Sequence, residues 1–211
     1  MIEGIVGRLT IFEETDNVEK KYWAGKVSSM EKQKQKWKLT VQDIAQIGMM
    51  VAIIEVCKVV LMSLPNIELT TFWIIMFSVY FGSKVFWAIP VFTLLEGTMF
   101  GFHVWWIMYL YMWPSLALLA RLLKKVDSVF AYSILSAMYG LFFGFFCAIP
   151  YVVIGTADGG IKNGLYTGFT WWVAGIPYDL IHGISNFVLM FILYKPIRNI
   201  MNKLPRIRES F

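Results

Sequence analysis

Asp179, His182 and Asn186 recur at i, i+3 and i+7 in the stretch Gly175-Ile-Pro-Tyr-Asp-Leu-Ile-His-Gly-Ile-Ser-Asn186, so a helix there carries all three on one face. Pro177 suits the first turn of such a helix. In an apolar segment a stripe of this kind either hydrogen-bonds a ligand or ties helices together. Three further acidic residues and one lysine sit in or beside apolar runs. Glu55 and Lys58 are three apart and can pair on one helix face, as a structural pair or as a charged wall for a ligand. Glu96 lies in Leu-Leu-Glu-Gly-Thr near the end of another run. Glu68 follows the turn Pro65-Asn-Ile67, where it can complement a helix dipole or face a cavity. Trp106, Tyr109 and Trp113 share helical spacing, the pattern of a core stripe, an interfacial belt or a stacking wall for a planar ligand. Trp105, Tyr151 and the pair Trp171-Trp172 add to an aromatic gathering at one level of the chain.

The chemistry that is missing narrows the reading. Cys57 and Cys147 each lie in an apolar run with no Cys or His at ligand spacing, so neither a zinc site nor a disulfide framework is readable. No Gly-x-x-x-x-Gly-Lys-Ser/Thr phosphate loop occurs. We expect no catalytic residues, no metal and no resident cofactor.

The elements that must position these groups are membrane helices. Of 211 residues, 58% are hydrophobic and 16% charged, which excludes an ordinary soluble enzyme. Apolar runs at about 42–64, 68–82, 84–101, 103–123, 128–154 and 176–195 predict an all-α integral membrane protein with a bundle of six transmembrane helices. Pro90, Pro114 and Pro150 should kink theirs. Residues 1–40 read as a polar, basic cytosolic leader ending in Lys32-Gln-Lys-Gln-Lys-Trp-Lys38, with Trp37 an interfacial anchor and no cleavable signal. Residues 41–196 form the membrane domain and 197–211 a basic cytosolic tail. Counting Lys and Arg on alternate connections puts seventeen on the leader side and only Lys162 opposite, which predicts both termini in the cytoplasm. These basic residues flank apolar spans, so the net charge of +5 points to anionic headgroups and no nucleic acid. The glycine-rich stretch 155–175 reads as a mobile outer loop with an apolar end. Ala45, Gly48 and Ala52 place small residues on one face of the first helix, where another helix can approach closely.

Six spans with both ends inside, a Pro-Asn-Ile-Glu turn after a small-residue first helix, a glycine-rich fifth connection, and a last helix Gly-Ile-Pro-Tyr-Asp-Leu-Ile-His-Gly-Ile-Ser-Asn followed by Lys195-Pro196: over residues 40–200 this order resembles the substrate-binding (S) component of energy-coupling factor (ECF) transporters. The resemblance implies a vitamin or micronutrient receptor in a prokaryotic cell membrane. Its partners would be a transmembrane coupling subunit and two cytoplasmic ATPases, so the chain itself is not an enzyme. Ala45, Gly48 and Ala52 would contact the coupling subunit. An outward pocket would lie near Glu68, Glu96, Tyr109, Trp113, Trp171, Trp172, Asp179, His182 and Asn186, with the fifth loop closing over the ligand. The leader is longer than the pattern, and could touch the cytoplasmic subunits or the membrane surface. The acidic groups call for donors or a positive centre on the ligand and the aromatics for a ring, which favours a small heteroaromatic vitamin or nucleobase-like compound.

Two other classes remain as expectations to set against this one. His182-Gly-Ile-Ser-Asn186 matches the His-x-x-x-Asn piece of the CAAX-type membrane proteases, yet their paired glutamates are absent from the membrane region, Glu13-Glu14 lying in the leader. A self-sufficient secondary transporter is the other, without the internal repeat that many of them show.

Overall fold

The computed structural model describes residues 19–30 and 39–203 and divides after Thr40 into two units. The basic stretch 32–38 with Trp37, and the tail beyond Lys203, lie outside the described residues. In the first unit residues 19–30 form helix α1, exposed along its whole length, with the Lys26 ammonium 5.0 Å from the ring centre of Trp23.

The second unit is built only of helices among the described residues, as a chain of apolar runs requires when backbone polar groups must be satisfied within each segment. Helix α2 spans Val41–Leu61, α3 Thr70–Tyr80, α4 Val85–Phe100, α5 Val104–Leu122 and α6 Val129–Leu141. Short 3-10 turns, Gly82–Lys84 and Leu123–Lys125, link α3 to α4 and follow α5. The remaining stretch Phe143–Met201 is two helices, α7 (143–158) and α8 (161–201), because Gly159 and Gly160 leave helical geometry, Gly160 at φ 79°. Three stretches, Val41–Leu61, Val104–Lys125 and Val129–Met201, are long and apolar enough to cross a membrane.

Residues 155–175, expected to be a mobile loop, are helical on both sides of the Gly159–Gly160 turn. The glycines serve packing instead. A Cβ on Gly155 would come within 3.0 Å of Gly164 Cα, and one on Gly168 within 2.2 Å of Val152. Bare backbone on facing helices lets α7 and α8 approach closely as an antiparallel hairpin.

Prolines are absorbed within the helices, and Pro150 shows how. Its ring removes the N–H that would bond the carbonyl four residues back, and that Phe146 carbonyl accepts the Tyr111 hydroxyl at 2.5 Å.

Helix α3 sets the depth of the site. At 11 residues it is about 16 Å long, roughly half a hydrocarbon core, and most of its side chains are buried among its neighbours. It is thus shorter than the expected span 68–82. Since α3 starts late, an irregular segment 62–69 precedes it, exposed at 62–65 and half-buried at 66–69, and it is tied to α8 by Ser185 Oγ donating to the Asn66 carbonyl at 3.0 Å. Irregular backbone of this kind is stable within a membrane where protein buries it or a cavity borders it.

At the opposite end of α2, Lys84 Nζ lies 2.6 Å from Asp43 Oδ1 and donates to Gln46 Oε1 at 2.9 Å, with both charged side chains buried. At the surface, Arg198 pairs with Asp127, which also accepts the Tyr194 hydroxyl at 2.9 Å.

Candidate functional site

The 62–69 segment, α2, α4, α5, the start of α7 and the middle of α8 border an open cavity of about 390 Å³, within the size range of small-molecule sites. Its polar groups are Lys58, Glu68, Glu96, Tyr109, Asn66 and His182, and its apolar wall includes Phe100, Trp105 and Phe143. Each charged group comes from a different element, so the site exists only when the bundle is assembled.

Two clusters face one another. In the first, Lys58 forms an ion pair with Glu96 and donates to the Tyr109 hydroxyl at 3.0 Å. The ammonium also lies 5.1, 5.7 and 5.8 Å from the ring centres of Tyr109, Phe100 and Phe92, within cation–π range of all three. Glu96 is fully buried, whereas the Lys58 side chain keeps 21% of its surface exposed. In the second cluster, His182 Nε2 approaches Glu68 Oε1 at 3.3 Å, but neither atom makes an aligned hydrogen bond. Thr70 Oγ1 holds the other Glu68 oxygen at 3.3 Å.

Buried polar atoms without hydrogen-bond partners gather at and beside this cavity, both ring nitrogens of His182 among them. Glu96 Oε1, Glu68 Oε1 and both carboxylate oxygens of Glu55 are buried without a hydrogen-bond partner. Glu55 stands within electrostatic reach of both Glu96 and Lys58. Unpartnered buried polar atoms are expensive, so their concentration here marks a place that expects polar groups from a ligand.

Of the residues singled out from sequence, Lys58, Glu68, Glu96, Trp105, Tyr109 and His182 come together in this cavity. The structure places the others elsewhere. Trp113 is fully buried one layer below, packed against Tyr109, Phe92 and Phe143, because the i+4 step from Tyr109 carries it toward the core. Trp171 stacks on Tyr151 at 4.0 Å and Trp172 meets Phe145 edge-on at 5.5 Å, both on the α7–α8 hairpin that replaces the expected loop. Asp179 turns to α7, where it accepts the Gly144 N–H at 2.9 Å. Asn186 bridges helices by donating to Thr71 Oγ1 and the Ser136 carbonyl, each at 3.4 Å. The polar stripe of the last helix is therefore divided: only His182 lines the cavity, and its two companions join helices. Ala45, Gly48 and Ala52 lie on an exposed face of α2.

Lys58 pairs across to Glu96 and not along its own helix to Glu55, a choice no spacing rule within α2 reveals. Phe100 and Phe143 were missed as lining residues, since an apolar wall carries no signal distinct from lipid-facing or core positions. Among the described residues no group of His, Cys, Asp and Glu could hold a metal ion.

Among the described residues, the fold and the charged cavity define an all-helical protein with helices suited to a membrane and a pocket lined by charged and aromatic groups. No protein-family profile, no curated protein and no solved structure matches the chain.

Proposed function

We propose that the chain is the membrane-embedded substrate-binding component of an ECF-type importer. It captures a vitamin-like, heteroaromatic small molecule from outside a prokaryotic cell for uptake powered by partner ATPases. In this reading six segments cross the membrane with both termini in the cytoplasm, and the cavity opens outward. The observation that carries it is the cavity itself: convergent charged and aromatic groups around about 390 Å³, set among helices apolar enough to span a bilayer. The order of sequence features over residues 40–200 supports the choice of family. Binding without a phosphate loop leaves transport energy to other subunits, which would bias a second orientation of the receptor.

Native mass spectrometry of the full chain purified alone in detergent tests this reading. The expected result is one co-purified small molecule, retained by Trp172→Ala and lost from His182→Ala and Glu68→Gln. A chain that carries nothing and binds no member of a vitamin panel would overturn it. Uptake by vesicles holding only this chain under an ion gradient would replace it with a self-sufficient transporter, and substrate turnover by the purified chain with an enzyme.

The coupling contact has its own consequence. A Cβ on Gly48 would meet nothing within 4 Å, so Gly48→Leu should not destabilise the isolated chain and, by removing a mid-helix glycine, should stabilise it by up to about 1 kcal/mol. Co-purification of the coupling subunit should nonetheless fall sharply, because a branched side chain would hold a closely packed partner helix away. Undiminished co-purification would remove this face from the interface.

A further inference from the structure

Lys58 occupies a place built for a cation. Glu96 supplies a fixed, fully buried carboxylate, Tyr109 a hydroxyl oxygen, and Tyr109, Phe100 and Phe92 three ring faces at 5.1–5.8 Å from the ammonium. The carboxylate is rigid and the ammonium is not, since it rides on a four-carbon stem that is partly exposed to the cavity. One turn back on the same helix, both oxygens of Glu55 are buried without a hydrogen bond, at the i to i+3 spacing a lysine can reach. The molecule thus holds one mobile ammonium and two carboxylates able to receive it.

We propose that the cavity binds an organic cation whose positive group takes the place of the Lys58 ammonium at Glu96 and Tyr109, while Lys58 swings to Glu55. This rests on the receptor reading and names the charge class of its ligand. After the exchange Glu96 faces the incoming cation and Glu55, unpartnered before it, faces Lys58. Without Glu55 as an alternative, displacing Lys58 would leave a buried charge uncompensated, and without the incoming cation Glu96 would be left so. An anionic ligand faces the opposite situation: it would have to draw Lys58 from Glu96 while lying against Glu68 and Glu96, both acidic lining residues. The ring that accompanies the cation has Trp105 and Phe143 to pack on.

Lys58 therefore acts as an internal competitor. If it holds Glu96 in more than about nine molecules in ten, removing it tightens binding of a cation by roughly tenfold or more. The probes are benzyltrimethylammonium, its neutral counterpart benzyl alcohol and the anion benzoate, measured by equilibrium dialysis with the full chain in detergent. Benzyltrimethylammonium should bind at least about tenfold tighter than the other two, tighten further in Lys58→Met, and be lost in Glu96→Gln. Glu55→Gln should weaken it in the wild-type background and leave it unchanged beside Lys58→Met, a dependence that misfolding would not produce. On the unaltered protein, acetylation of Lys58 by a water-soluble succinimidyl ester, read by peptide mass spectrometry, should rise when benzyltrimethylammonium binds.

Suppressed acetylation, or equal binding of the three probes, would overturn the exchange. A neutral or anionic compound co-purifying with the chain would also overturn it while leaving the receptor reading intact. Failure of every probe and of the vitamin panel would overturn both.

Discussion

Replacing Lys84 by methionine is expected to destabilise the bundle by about 3–5 kcal/mol, because it leaves the Asp43 carboxylate buried without the ammonium that faces it at 2.6 Å. The two side chains are 4% and 3% exposed, so water cannot make up the loss, and Gln46 loses the same donor. The pair links the first turn of α2 to the junction between α3 and α4, and its failure loosens three helices together. Removing both charges should be far milder. Asp43→Asn with Lys84→Met takes away the attraction along with the desolvation it offset, and such double replacements are often close to neutral. The surface pair of Arg198 and Asp127 provides the comparison: with side chains 36% and 47% exposed, Arg198→Ala should cost no more than about 1 kcal/mol. Urea titration in detergent followed by helical circular dichroism measures all three. A Lys84→Met protein as stable as the unaltered chain would show that this pair contributes packing alone.

Lys84 also shows where sequence reading stopped. In the short connection Gly82-Ser-Lys84 it counts as one of the seventeen basic residues that mark one side of a membrane. Nothing within the connection announces Asp43, some forty residues earlier, as its partner. Helices were legible because hydrocarbon-like runs leave the backbone little alternative: α2 occupies Val41–Leu61 where 42–64 was expected, and α5 Val104–Leu122 within 103–123. Glycine misled at 155–175 because the same residue serves turns and tight helix contacts, and only the facing helix decides which. Gly159 and Gly160 turn the chain, whereas Gly155, Gly164 and Gly168 pack. Within the site, buried acids could be picked out by their cost in an apolar run, and Glu68 and Glu96 do face the cavity. Helical spacing put Asp179, His182 and Asn186 on one face but could not say which neighbour each would meet along the 11 Å or so that seven residues cover. Asp179 meets α7, His182 the cavity and Asn186 the α3 and α6 side.

The contact that fixes His182 yields the second large expectation. A Cβ on Gly140 would lie 2.7 Å from Gly183 Cα, Gly183 N and the His182 carbonyl carbon, all of them backbone. No side-chain rotation relieves such a clash, so Gly140→Ala must push α6 and α8 apart, at about 1–3 kcal/mol for overpacking even with some relaxation. Gly183→Ala is the milder test of the same interface, since its nearest obstacle is the Leu141 side chain, which can move. The displaced segment of α8 carries His182, whose ring packs against Phe143 at 4.9 Å and approaches Glu68 at 3.3 Å. Gly140→Ala should therefore weaken small-molecule binding as well as stability, although Gly140 is not among the residues that line the cavity. The loss should exceed that of Gly183→Ala in both measurements, in the order set by how rigid the obstructing atoms are. Equal effects from the two substitutions would mean that α6 yields as readily as a leucine side chain. A Gly140→Ala protein with unchanged stability and binding would show that the close approach of the two helices is not what holds His182 at the cavity.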